Sequence, residues 1–132
     1  MSVSVPPLIS RYAARHGVAD AVRADGRAIL VIDDKYRVRF APARNGWVAL
    51  SARLCALPPA GAARENFLAG LGRQAVGMLD KYASGCTIDP DEEALWLEQM
   101  LRPDAVDTEV DEAVGQFANA LSFWTSAVRR AA

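Results

Sequence analysis

The chain has 132 residues, 52% hydrophobic and 23% charged, the make-up of a folded globular protein and not of a disordered one. Fifteen Lys and Arg against sixteen Asp and Glu leave a formal net charge of −1, with the basic residues dispersed, so nucleic acid is not an expected partner. No apolar run approaches the roughly 20 residues of a membrane helix; the opening MSVSVPPLIS also lacks the basic and long apolar regions of a signal peptide, so a cytoplasmic location without membrane insertion is expected.

In chain order, Pro6-Pro7 suits a first helical turn, with Ser4 as a candidate cap. Leu8, Ile9, Tyr12 and Ala13 then share one face, Arg11 and Arg15 the other, and Gly17 marks the helix end. Asp25-Gly26 is a turn leading into three consecutive strands. Ala28 to Ile32 is a β-branched run of the kind covered on both faces. After the polar turn Asp33-Asp34-Lys35, Tyr36, Val38 and Phe40 alternate with Arg37 and Arg39, so one face is buried and one meets water. Pro42 ends that strand, Asn45-Gly46 reverses the chain, and Trp47 to Leu54 forms the third strand.

Pro58-Pro59-Ala60-Gly61 is a short connection. Ala63 to Tyr82 resumes helical spacing through Phe67, Leu71, Ala75, Met78 and Tyr82, widened by Leu68 and Leu79. Gly70, Gly72 and Gly77 each cost roughly 1 kcal/mol there, so this helix depends on packing more than on propensity. Cys86 to Asp89 reads as a short strand, Pro90-Asp91 as a turn, and Ala94 to Leu101 as a further strand bounded by Pro103. From Asp107 or Thr108, with Thr108 and Asp111 as a capping pair, Val110, Val114, Phe117, Leu121, Trp124 and Val128 form the cleanest amphipathic stripe in the chain. Glu109, Asp111 and Glu112 at its start and Arg129-Arg130 at its end suit the helix dipole. The expected fold is α+β, a single domain over residues 1–132 in the order α-β-β-β-α-β-β-α, with an antiparallel sheet covered by helices.

The residues that carry chemistry are few. His16 is the only histidine and stands at a helix end. Cys55 and Cys86 match no zinc or redox spacing and read as reduced thiols. Asp89, Asp91, Glu92 and Glu93 lack the EF-hand pattern and read as a solvated turn. Gly70-Leu71-Gly72 lies inside a helical stripe, so it is no phosphate loop. No enzyme, metal site or cofactor is expected. The surplus is apolar: Tyr36, Val38, Phe40, Trp47, Trp96 and Trp124 are a heavy investment for so short a chain, and large aromatics concentrate at partner surfaces.

Five segments together resemble a known family. They are the opening helix ending in His16-Gly17-Val18; Ala28 to Asp33; Trp47 to Leu50 followed by Leu57-Pro58; Ile88 to Leu97; and the amphipathic C-terminal helix. This order is similar to that of the class I chaperones of type III secretion systems, the Tir-chaperone-like family. The resemblance implies a cytoplasmic homodimer that binds an extended N-terminal segment of a secreted effector without ATP and keeps it competent for secretion. The segment would add a strand to a sheet edge and fill apolar patches. On this sequence the implied effector-binding residues are Leu8, Ile9, Tyr12, Val38, Phe40 and Trp47, and the implied dimer contact is Met78, Leu79, Leu95, Trp96 and Leu97. The competing classes are a small α+β ligand-binding or enzymatic domain and a structural subunit of a larger assembly.

Overall fold

The computed structural model describes residues 5–76 and 83–131. Helix α1 (Pro7–Arg15) begins with proline in its first turn, where a missing N–H costs nothing. It ends in a Schellman motif: Gly17 takes φ 70° and donates to the Ala14 carbonyl, while Val18 donates to Ala13. No side chain caps its start at Pro6, and Ser4 lies outside the described residues. A 3-10 turn over Ala19–Ala21 leads to the turn at Gly26, whose φ of 85° places its missing Cβ 3.0 Å from Pro42 Cγ.

Strands β1 (Ala28–Ile32), β2 (Tyr36–Pro42) and β3 (Val48–Ala56) follow as an antiparallel meander. Asp33 and Asp34, both at positive φ, close the first turn, and Asn45 and Gly46 close the second in the same way. Helix α2 (Ala62–Val76) then crosses to β4 (Gly85–Asp89), and a tight turn returns the chain as β5 (Ala94–Leu101). Of the helical stripe read through Tyr82, the positions Gly77 to Tyr82 fall outside the described residues. The sheet order is β1-β2-β3-β5-β4, so β5 lies between β3 and β4. Helix α3 (Asp107–Ala131) completes the α+β fold.

Strand alternation decides the core. Leu30, Val38, Phe40, Val48, Leu50, Leu97 and Leu101 form one buried sheet face. Against it pack Leu8, Ile9 and Tyr12 of α1, Phe67 and Leu71 of α2, and Val110, Val114, Phe117, Leu121 and Trp124 of α3. In β3 the register shifts between Arg53 and Cys55, a bulge that leaves Leu54 without a partner and sets Cys55 opposite Leu95.

The sequence reading of β1 as covered on both faces is overturned. β1 is an edge strand with helices on one side only, and Ile29 and Val31 are 36% and 61% exposed. A run of β-branched residues raises strand propensity whether or not both faces are covered, so composition could not separate the two cases.

The alternation along β5 has a direct test. Leu97→Asp places an unpaired carboxylate in the apolar interior, adding several kcal/mol to the about 2–5 kcal/mol of lost packing. That approaches the whole stability of a domain of this size, about 5–15 kcal/mol. Thermal melting should show no cooperative transition for Leu97→Asp, whereas Glu98→Ala, one residue along and on the opposite face, should stay within about 0.5 kcal/mol of the parent.

Candidate functional site

Partner recognition by a protein of this shape has three resources: free sheet edges, depressions at the rims of the helix layer, and the sheet face away from the helices. The free edges are β1 and β4. At β1, among the described residues, only Ala28 is engaged on the outer side, through a bridge to Val22. At β4, Gly85, Cys86, Thr87 and Ile88 are all exposed.

A depression of about 280 Å³ lies where α1 meets the β1 edge, lined by Tyr12, His16, Val18, Leu30, Ile32 and Asp33. Its floor is held by aromatic stacking. The Tyr12 ring lies 4.2 Å from the His16 ring and 5.2 Å from Phe40, centroid to centroid. Burial pushes the Tyr12 phenol above its ordinary pKa, and the nearby Asp111 carboxylate adds to the effect.

Three arginine–aspartate ion pairs and one histidine–aspartate contact fasten this corner to α3. Arg11 Nε reaches Asp107 at 2.9 Å, and Arg15 reaches both Asp107 at 2.8 Å and Asp111 at 2.7 Å. The His16 ring nitrogen Nε2 stands 3.4 Å from the same Asp111 oxygen. Hydrogen bonding from Arg15 is the main reason that the Asp111 carboxyl is held below the usual carboxylate range. Asp107 and Asp111 thus serve α1, in addition to suiting the dipole at the start of their own helix.

A second depression, about 340 Å³, opens between α2 and the β4 edge, with Leu68, Ala75, Cys86, Ile88, Leu95 and Trp124 on its walls. Cys86 is exposed as an edge-strand residue, yet burial of its thiol pushes the pKa up to about 11, so the sulfur stays protonated and a poor nucleophile. Among the described residues no group of His, Cys, Asp and Glu is arranged to hold a metal ion, and no helix is long and apolar enough to cross a membrane.

The residues singled out from the sequence divide by burial. Leu8, Ile9, Tyr12, Val38 and Phe40 come together, but at 5% exposure or less, inside the contact between α1 and the sheet. The physical reason is that α1 has one apolar stripe, and the sheet takes it. Of these five, Tyr12 also lines the depression at the β1 edge. Trp47 is half-buried at the β2–β3 turn, outside the ladder. Leu95 and Leu97 are core residues beneath the helices, while Trp96 between them is half-buried on the opposite face, so the three do not share one surface. Met78 and Leu79 lie outside the described residues. The ion pairs of Arg11 and Arg15 escaped the sequence reading because their partners lie more than 90 positions away, and no local spacing signals them.

No protein-family model matches the chain, and no curated protein matches it by sequence. Solved structures do match its fold. A chain of the HopA1–SchA chaperone–effector complex is 12% identical with a TM-score of 0.64, over 90% of this chain and 91% of that one. The structure of the Yersinia pestis type III secretion chaperone SycH with a stable fragment of YscM2 gives 15% identity and 0.62, covering 92% and 99%. The heterodimeric ExoU–SpcU complex from the type III secretion system of Pseudomonas aeruginosa gives 11% and 0.62, covering 94% and 97%. The chain therefore has a fold like that of type III secretion chaperones.

The pairing of α1 with α3 predicts a pH dependence. A carboxyl with a depressed pKa in the fold contributes stability that is complete above its unfolded value and is lost as pH falls through the folded one. Asp111→Asn should lower the melting temperature at pH 7 by about 2 °C, a modest amount because the pair is exposed. The gap between parent and variant should close as pH falls below the usual carboxylate range, read by calorimetry from pH 7 to pH 2.

Proposed function

We propose that the chain is a cytoplasmic chaperone of type III secretion. In this reading it acts as a homodimer, without ATP or metal, and holds an extended N-terminal segment of a secreted effector in a secretion-competent form. The observation that carries the reading is the likeness of fold over nine-tenths of the chain to structures that include chaperone–effector complexes. Two free sheet edges, each beside a depression that is mixed at β1 and apolar at β4, support it, because strand addition needs an open backbone and pockets for alternate side chains.

The effector segment pairs with β1 and sets an apolar side chain beside Tyr12, Leu30 and Ile32. Leu8, Ile9, Val38 and Phe40 shape that site from beneath, as the packing that fixes the position of α1. The dimer contact runs over α2 and β4, where Val76 and Ile88 are exposed at 71% and 45% and Leu68 is half-buried. Met78 and Leu79 extend the same helical stripe in sequence. Covering this face removes an apolar depression from water on both copies at once, as a two-fold contact requires.

Light scattering at micromolar concentration should give twice the 14.2 kDa chain mass, and Ile88→Asp should reduce it to the single mass. The function itself is tested by coexpression with candidate secreted effectors, starting with any encoded by a neighbouring gene, followed by titration of the N-terminal segment of the one retained. Submicromolar binding, unchanged by ATP or a chelator, is the expected result. A monomer that binds no such segment, or a measurable turnover of a small molecule, overturns the reading.

A further inference from the structure

The sheet face turned away from the helices is not a plain solvated surface. Ile29, Arg37, Arg39, Ser51, Arg53 and Trp96, from four adjacent strands, line a depression of about 360 Å³ on it. Arg39 lies opposite Ile29 on one side and Ser51 on the other, and Arg53 lies opposite Trp96. The Arg39 guanidinium carbon stands 4.9 Å from the centre of the Trp96 ring, a cation–π contact that spans from β2 to β5.

The polar groups of this depression are nearly all donors. Arg37, Arg39 and Arg53 are exposed, and none of them lies within ion-pair distance of a carboxylate among the described residues. The Trp96 indole Nε1 is buried without a hydrogen-bond partner. Glu98 lies on the same face, opposite Ser51, and pairs with none of the three arginines. Around these donors the face is apolar: Ile29, Val31 and Met100 are three of the six large hydrophobic residues exposed among the described ones.

We propose that this face binds an acidic, extended peptide segment with carboxylates two residues apart and apolar side chains nearby, a proposal that rests on the reading of the chain as a binder of extended segments. Three cations without carboxylate partners call for an acceptor-rich anion. The spacing selects a strand. Arg37 and Arg39, two apart on β2, stand about 7 Å from each other, the repeat at which an extended chain presents side chains to one side. The exposed Ile29, Val31 and Met100 favour a peptide over a polyanion, which has no apolar groups to place there. The chain's net charge of −1 also gives a long polyanion no general attraction.

The experiment titrates the full chain with a seven-residue peptide carrying valine, glutamate, glutamate and valine at its odd positions, which share one side of an extended chain, and serine between, at low salt, by calorimetry. Expected are saturable binding, a loss of about tenfold in the double variant Arg37→Gln/Arg53→Gln, and a comparable loss when the glutamates are made adjacent. An unchanged melting temperature for the variant shows that the fold is intact. No binding to the parent chain, or equal binding to the variant, overturns the proposal, as does a short single-stranded DNA that binds more tightly with the same arginine dependence. The two readings separate in the secreted-segment titration. A segment that binds parent and variant equally removes the groove and leaves the chaperone reading intact. A parent chain that binds the glutamate peptide but no secreted segment overturns the chaperone reading and leaves the groove.

Discussion

Everything in this structure depends on one sheet face having to be covered. Val38, Phe40, Val48, Leu50 and Leu97 lie on neighbouring strands and are completely buried, which is possible only if helices close over them. A five-stranded antiparallel sheet with one apolar face cannot stand in water. Helix α3, at 25 residues, is long enough to run across the layer, and its stripe from Val110 to Trp124 supplies most of the cover. Helices α1 and α2 fill what α3 leaves open, α1 near Phe40 and α2 near Leu95.

That division of labour leaves the helix layer with rims. One rim is where α1 ends beside β1, the other where α2 faces β4, and each coincides with an unpaired sheet edge. An open edge beside a shallow depression is a hazard in a chain with no partner and a recognition device in one that has a partner. The two rims differ in how they are held. The α1 rim is tied to α3 by Arg11, Arg15 and His16 acting on Asp107 and Asp111. The α2 rim is apolar, with Leu68, Ala75 and Ile88 on its walls. A charged, fastened corner suits an exchangeable ligand, and an apolar, open one suits a permanent contact with a second copy.

The sheet face away from the helices adds a third surface of a different kind. Its three arginines give it positive charge and donor groups, while the chain as a whole is nearly neutral. The two surfaces adjoin along β1, where Val31 lines the depression at the α1 rim and Ile29, two residues away, lines the arginine depression. Edge pairing is carried by the backbone and tolerates many sequences. The arginine face adds a requirement on side-chain charge, which is where selectivity between partners can arise.

The sequence by itself determined the elements and their order. Alternation in Tyr36 to Phe40, the Asn45-Gly46 reversal, Gly17 after the first helix and the stripe from Val110 to Val128 each rest on local physics: period, turn geometry and capping. With them came the α+β class and the resemblance to secretion chaperones, whose solved structures share the fold. Only the tertiary structure decided which apolar residues are buried in the core and which stay exposed. The family resemblance assigns Leu8, Ile9, Val38 and Phe40 to an effector surface, and in the structure α1 and the sheet bury them against each other. It also decided that β1 is an edge, that Leu95 and Leu97 part from Trp96, and that Arg15 meets Asp111 across 96 positions. Periodicity shows that a face is apolar; it cannot show what covers it, because cover comes from elements far away in the chain.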